Sequence, residues 1–172
     1  MDIHIREARE SDARDMTEII NPIIESGQFT ALVEIYTEEE QLEYIKRFED
    51  TGVFLVAECR KSQKVIGMQS VESTVDISSF RHVGDISTFI SLQTRGKEVG
   101  SRLSKVTFQK AYEQGYKKLN AMVRGDNPKA ITFYMRQGFK IIGTARKHAL
   151  IRGRYIDEVM MELLLEEVPY KD

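Results

Sequence analysis

The chain has 172 residues, of which 41% are hydrophobic and 30% charged, enough for one domain with a sizeable core. A formal net charge of −2 argues against general nucleic-acid or anionic-membrane binding. The single cysteine, Cys59, excludes an internal disulfide and fits a reducing cytoplasm. No apolar run reaches the ~20 residues that span a bilayer, and Met1 to Arg6 lacks the apolar block of a signal peptide.

In chain order, Ile3, Ile5 and Ala8 alternate as a short strand. Ser11 is the expected N-cap of a helix whose stripe is Met16, Ile19, Ile20 and Ile23, with Gly27 ending it. Thr37 and the glutamates after it form a capping box, and Leu42, Ile45 and Phe48 carry the second helix. Val53 to Ala57 is a strand, residues 61–64 turn, and Val65 to Met68 opens its partner, which continues from Val71 before looping out towards Ser79. A fourth strand is expected over Val83 to Leu92. Val99, Leu103 and Val106 lie on one face of the next helix, and Gly115 suits its C-terminal end. Leu119, Ala121 and Val123 alternate as a strand. Asn127-Pro128 then starts a helix carrying Ile131, Tyr134 and Met135, which Gly138 stops. Two strands, Phe139 to Ile151 and Ile156 to Leu165, close the chain. The order β-α-α-β-β-β-α-β-α-β-β predicts a mixed α/β (α+β) single domain over residues 1–172.

The stretch Arg95-Gly96-Lys97-Glu98-Val99-Gly100-Ser101 joins a strand to a helix start. Helix N-terminal N–H groups are unpaired and the dipole adds partial positive charge, so this layout suits phosphate. Arg95 and Lys97 add whole charges. A second cluster follows one helix and one strand later: Asn127-Pro128-Lys129-Ala130, Tyr134 and Gly138-Phe139. His4, His82 and His148 are scattered without metal-ligand spacing, so no metal site is expected.

With both clusters in place, the chain resembles the GNAT superfamily of N-acetyltransferases from Ile3 to about Leu165. The phosphinothricin-type and amino-acid branch is nearest, on Ile5-Arg6-Glu7-Ala8, Thr30-Ala31-Leu32 and the Glu38 to Phe48 helix; the ending Gly153 to Met160 resembles this branch and also the enzymes that acetylate ribosomal-protein N-termini or polyamines, so it does not separate the substrates. The resemblance implies a mostly antiparallel mixed sheet flanked by helices, acetyl-CoA as co-substrate, a small-molecule amine as acceptor and a possible homodimer. It implies cofactor binding by Thr88, Phe89, Ile90, Arg95, Gly96, Lys97, Glu98, Val99, Gly100, Ser101 and Asn127. It also implies that Tyr134 protonates the leaving thiolate and that Asp85, at the start of strand four, is the general base. Glu72 and then Glu34 are the alternative bases. Glu98 departs from the pattern, standing where the family's loop has its first glycine.

Acetyl transfer needs a neutral amine, a backbone N–H near Phe89 or Ile90 for the charge growing on the carbonyl oxygen, an acid for the thiolate and in-line placement. Direct attack is expected, because Cys59 is the only thiol and is remote in sequence from the loop. The rival readings are a protein N-terminal or polyamine acetyltransferase and a non-catalytic acyl-CoA-binding regulatory domain.

Overall fold

The computed structural model describes residues 2–48, 52–73 and 75–168. Its elements are β1 (Ile3–Glu7), α1 (Ala13–Ser26), α2 (Glu38–Lys46), β2 (Val53–Cys59), β3 (Lys64–Glu72), β4 (Val83–Ile90), α3 (Val99–Glu113), β5 (Lys118–Arg124), α4 (Pro128–Arg136), β6 (Lys140–Ile151) and β7 (Arg154–Leu164). This is the order the sequence predicts. Thr74, in the expected loop after β3, falls outside the described residues.

The seven strands form one sheet in the order β1-β2-β3-β4-β5-β7-β6. Every neighbouring pair is antiparallel except β4 with β5. Strand alternation divides the apolar side chains between two faces. On one face Val71, Leu119, Ala121, Val123 and Met161 meet Leu103, Phe108 and Ala111 of α3. On the other, Phe54, Val56 and Met68 meet Met16, Ile19, Ile20 and Ile23 of α1 and Ile45 of α2.

The second helix starts as expected: Thr37 Oγ1 accepts from Glu40 N and Glu40 Oε2 accepts from Thr37 N. The first does not. A 3-10 turn over Glu10–Asp12 precedes α1, and Ser11 caps nothing. Asp12 holds this turn instead, accepting from Arg9 N at 2.8 Å and from the Arg6 guanidinium at 2.7 and 2.8 Å. Arg6 also reaches Glu58, so this half-buried cation has two carboxylate partners and ties β1, β2 and the entry to α1 together. A carboxylate outcompetes a hydroxyl for these donors because its bonds are charge-assisted.

The feature that makes a site is the short contact between β4 and β5. They pair only at Val83–Lys118, Gly84–Leu119 and Asp85–Asn120. Beyond that point β4 runs on to Ile90 and β5 to Arg124 without pairing, and the two strands splay into a V.

Candidate active site

A cavity of about 1440 Å³ fills the V, well above the few hundred Å³ typical of a site for a small metabolite. Residues 86–90 of β4 form one wall, and Met122, Val123 and Arg124 of β5 form the other. The opening passes through the sheet, so it meets both faces.

At its mouth the chain turns from β4 into α3 through Gly96 (φ 75°) and Glu98 (φ 61°). Both are left-handed, a conformation that costs a non-glycine residue about 1 kcal/mol. This is why glycine suits position 98 and why Glu98 is strained there whatever its charge does. The Glu98 side chain is exposed and makes no cap, so the amides that open α3 have no side-chain partner at that end. By contrast, α4 is capped by Asn127, whose Oδ1 accepts from Ala130 N at 3.2 Å. Gly100 has almost no room: a Cβ there would lie 2.9 Å from the Phe133 ring. Arg95 lies 3.9 Å over the Phe29 ring. Burial pushes its guanidinium pKa down, and it forms no ion pair with any described residue. An uncapped helix end beside a cation that has no ion-pair partner among the described residues is suited to a phosphorylated ligand.

Ladder parity decides which β4 amides face the opening. Ser91 N donates to Ile66 O, so in the register Gly67–Ile90, Met68–Phe89 and Gln69–Thr88 the residues bonded to β3 are Ser91, Phe89, Ser87 and Asp85. Ile86, Thr88 and Ile90 therefore turn their N–H and C=O groups towards the V. Of the two amides expected for a carbonyl oxygen, Phe89 is excluded because its N–H is spent on β3. Ile90 is available, and Thr88 joins it.

Tyr134 Oη donates to Thr88 Oγ1 at 3.0 Å. The phenol is buried, and desolvation raises its pKa to about 12, so it is a neutral donor at any ordinary pH. Its ring packs edge-on against Phe133 and Phe139. Tyr134 thus belongs to the core and to the cavity wall at once.

The opposite face of the V carries Ser70, Glu72, Ser87, Arg124 and Glu158, beneath Tyr36 and Tyr44. Tyr44 Oη lies 3.1 Å from Ser70 Oγ and donates to Glu72 Oε1 at 3.4 Å. Asp85 pairs with Glu72 across the ladder, yet only Glu72 lines the cavity. Asp85 sits where β4 and β5 still pair, three residues or about 10 Å along the strand from Thr88. Glu34 does not line the cavity either, and Lys97 is exposed outside it. The other expected residues, Thr88 to Ile90, Arg95, Gly96, Glu98 to Ser101, Asn127 and Tyr134, all reach the cavity.

Residues 5–160 match the family model described as the acetyltransferase (GNAT) domain. The chain belongs to the GNAT acetyltransferase family. A Bacillus subtilis protein provisionally named a phosphinothricin acetyltransferase is 27% identical over 153 residues, covering 89% of this chain and 93% of the relative. A Pseudomonas aeruginosa L-methionine sulfoximine/L-methionine sulfone acetyltransferase is 27% identical over 103 residues, covering 60% of each chain. A Salmonella typhimurium structure solved with its cofactor acetyl-CoA superposes with a TM-score of 0.89 at 21% identity, covering all of this chain and 99% of that one. The protein is therefore an acetyltransferase of the GNAT family. Among the described residues no cluster could hold a metal, and no helix is long and apolar enough to cross a membrane.

Several residues of this acetyltransferase site escape sequence reasoning. Arg124, buried to 5% exposure, pairs with Asp126, and its Nη1 donates to Gly27 O at 2.8 Å and Thr30 O at 3.0 Å. Asn127 Nδ2 donates to Phe29 O at 3.2 Å. Asn21 exchanges two bonds with the backbone of Tyr36. The α1–α2 loop is thus tied at its start to Arg124 and Asn127 and at its end to Asn21 of α1. The only trace of this in the sequence is an arginine three residues before the Asn127 cap.

Proposed function

We propose that the chain acetylates the primary amine of a small amino acid or amino-acid analogue by direct attack on acetyl-CoA, within one acetyltransferase domain spanning residues 1–172. The carrying observation is the V between β4 and β5, open to both faces. One face offers the Arg95 to Ser101 turn and Tyr134 to the acyl donor. The other offers a mixed acidic and hydroxyl wall to the amine. The names of the two relatives, acting on phosphinothricin and on methionine sulfoximine, support the substrate class.

In this reading the opening amides of α3 and Arg95 hold the pyrophosphate, and the Ile90 or Thr88 amide receives the carbonyl oxygen. Tyr134 gives its proton to the departing sulfur. The ammonium proton leaves through Tyr44 and Ser70 towards Glu72, one of the carboxylates that line the cavity. Asp85, about 10 Å from Thr88, can act only at the far end of such a path. Two further features belong to the reading. A cytoplasmic location is supported by the lone Cys59. A homodimer is supported by Met122 and Met160, cross-strand neighbours that are 50% and 39% exposed.

A screen of amines by release of free thiol from acetyl-CoA tests the function. Turnover on L-methionine sulfoximine or a related amino acid supports it. Acetylation confined to polyamines or peptide N-termini replaces the substrate class, and acetyl-CoA binding without turnover on any amine removes the enzyme reading.

A further inference from the structure

Gln69 lies in the middle of β3, fully buried, opposite Thr88 in the ladder. Its Nε2 donates to Thr88 Oγ1 at 2.8 Å and to Ser104 Oγ of α3 at 3.1 Å. Both amide hydrogens are thereby used. Its Oε1 is buried with no partner among the described residues. An apolar side chain of similar size would avoid that desolvation penalty. The amide therefore carries a desolvation cost at Oε1, while its nitrogen makes two well-formed bonds next to Tyr134.

Thr88 Oγ1 receives two donors, Gln69 Nε2 and Tyr134 Oη. A hydroxyl has two lone pairs and one hydrogen, so the Thr88 hydrogen points in a third direction. When the amine nitrogen bonds to the acetyl carbon and the C–S bond breaks, the sulfur takes the Tyr134 proton. Tyr134 Oη then carries the charge in a desolvated place. It needs a donor, and Thr88 is 3.0 Å away. Thr88 can turn its hydrogen onto Tyr134 while Gln69 keeps hold of its oxygen. The nitrogen, left with one proton too many after bonding to the acetyl carbon, releases it to solvent, and the phenolate takes one from solvent once the thiol has gone, so the phenol is restored with no net change.

We propose that Gln69 is a positioning residue for the acyl-transfer step: anchored by Ser104, it holds the Thr88 hydroxyl so that Thr88 can support Tyr134 as the phenol gives up its proton. The inference rests on the reading of Tyr134 as the acid.

The test needs no acceptor. Free CoA and acetyl-CoA are titrated into the protein by calorimetry from pH 7 to 9.5, through the thiol pKa of about 8.5. If Tyr134 serves the sulfur, wild-type protein binds CoA about fivefold to tenfold more tightly once the thiol is ionised, relative to acetyl-CoA at the same pH. Tyr134→Phe abolishes that gain. Gln69→Met also abolishes it while leaving acetyl-CoA affinity within twofold, and the double variant loses nothing more. If Gln69→Met does not fold, Ser104→Ala, which removes one anchor of the amide, halves the gain. No gain in the wild type, or a full gain in Tyr134→Phe, overturns the Tyr134 reading and this inference with it. A gain lost in Tyr134→Phe but kept in full by Gln69→Met, or by Ser104→Ala where Gln69→Met is unfolded, overturns the role of Gln69 alone. So does an equal loss of CoA and acetyl-CoA affinity in Gln69→Met.

Discussion

The two faces of the V are built in different ways. The face proposed for the cofactor draws on two short runs of sequence, residues 94–101 and 127–137, plus the end of β4. The face proposed for the acceptor is gathered from α1, the α1–α2 loop, α2, β2, β3, β4, β5 and β7. A diphosphate is recognised by backbone amides and a dipole, which one loop and one helix end can supply. An amine with a side chain of particular shape is recognised by side chains arriving from many directions. The first requirement compresses into a motif and the second does not. Arg124, Asn127 and Arg95 join the faces, since each touches the Gly27 to Thr30 stretch of the acceptor loop.

The sharpest way to separate the faces is Tyr134→Phe. Turnover should fall roughly 10²-fold, the usual scale for a general acid, with acetyl-CoA affinity little changed, and the defect should shrink as pH rises past about 8.5. Near-normal turnover would assign Tyr134 to the core alone. The same variant reports on linkage. The folded phenol pKa is raised to about 12, against about 10 when unfolded. Between those values the folded state holds the extra proton, so stability is full below pH 10 and falls as pH rises towards 12. Melting temperatures of Tyr134→Phe should decline less steeply over that window than those of the wild type.

Gly100→Val should come next, weakening acetyl-CoA binding about tenfold or more, roughly 1.4 kcal/mol. A Cβ at position 100 would lie 2.9 Å from the Phe133 ring, so the ring must move and a thermal scan is needed beside the calorimetry. Unchanged affinity with an intact fold would end the assignment of this turn to the pyrophosphate.

Arg124→Met probes the join. It strips donors from Gly27 O and Thr30 O, each lost bond costing about 1 kcal/mol. The acceptor KM should rise several-fold while the acetyl-CoA Kd moves less than twofold; equal changes in both would mean the loop does not divide the faces. Asp126, whose carboxyl pKa Arg124 holds below the usual range, contributes stability present above its unfolded pKa and lost as pH falls. The variant should therefore lose some of the wild type's sensitivity to acid.

Glu98→Gly should have the smallest effect. It relieves the left-handed strain, stabilising the fold by up to about 1 kcal/mol, and removes a negative charge at the mouth. A modest gain in acetyl-CoA affinity that fades with added salt would assign part of the effect to charge. A gain in melting temperature alone would assign it to the backbone.

Period and punctuation make most of this protein readable from its sequence. Apolar spacing places the helices and strands, Thr37 and Asn127 place helix starts, and Gly27, Gly115 and Gly138 place ends, because these signals act through bonds within a few residues. Ser11 loses the cap because the competing acceptor, Asp12, gains its strength from Arg6 across a turn. Arg95 to Ser101 and Tyr134 are legible as motif. The tertiary structure alone decided the rest: that β4 and β5 part after Asp85, that ladder parity spends the Phe89 amide and frees Ile90, and that Glu72 rather than Asp85 lines the cavity. It also brought Gln69, 19 residues before Thr88 in the chain, to 2.8 Å from it. Where two strands part is set by packing between elements distant in sequence, and no local pattern records it.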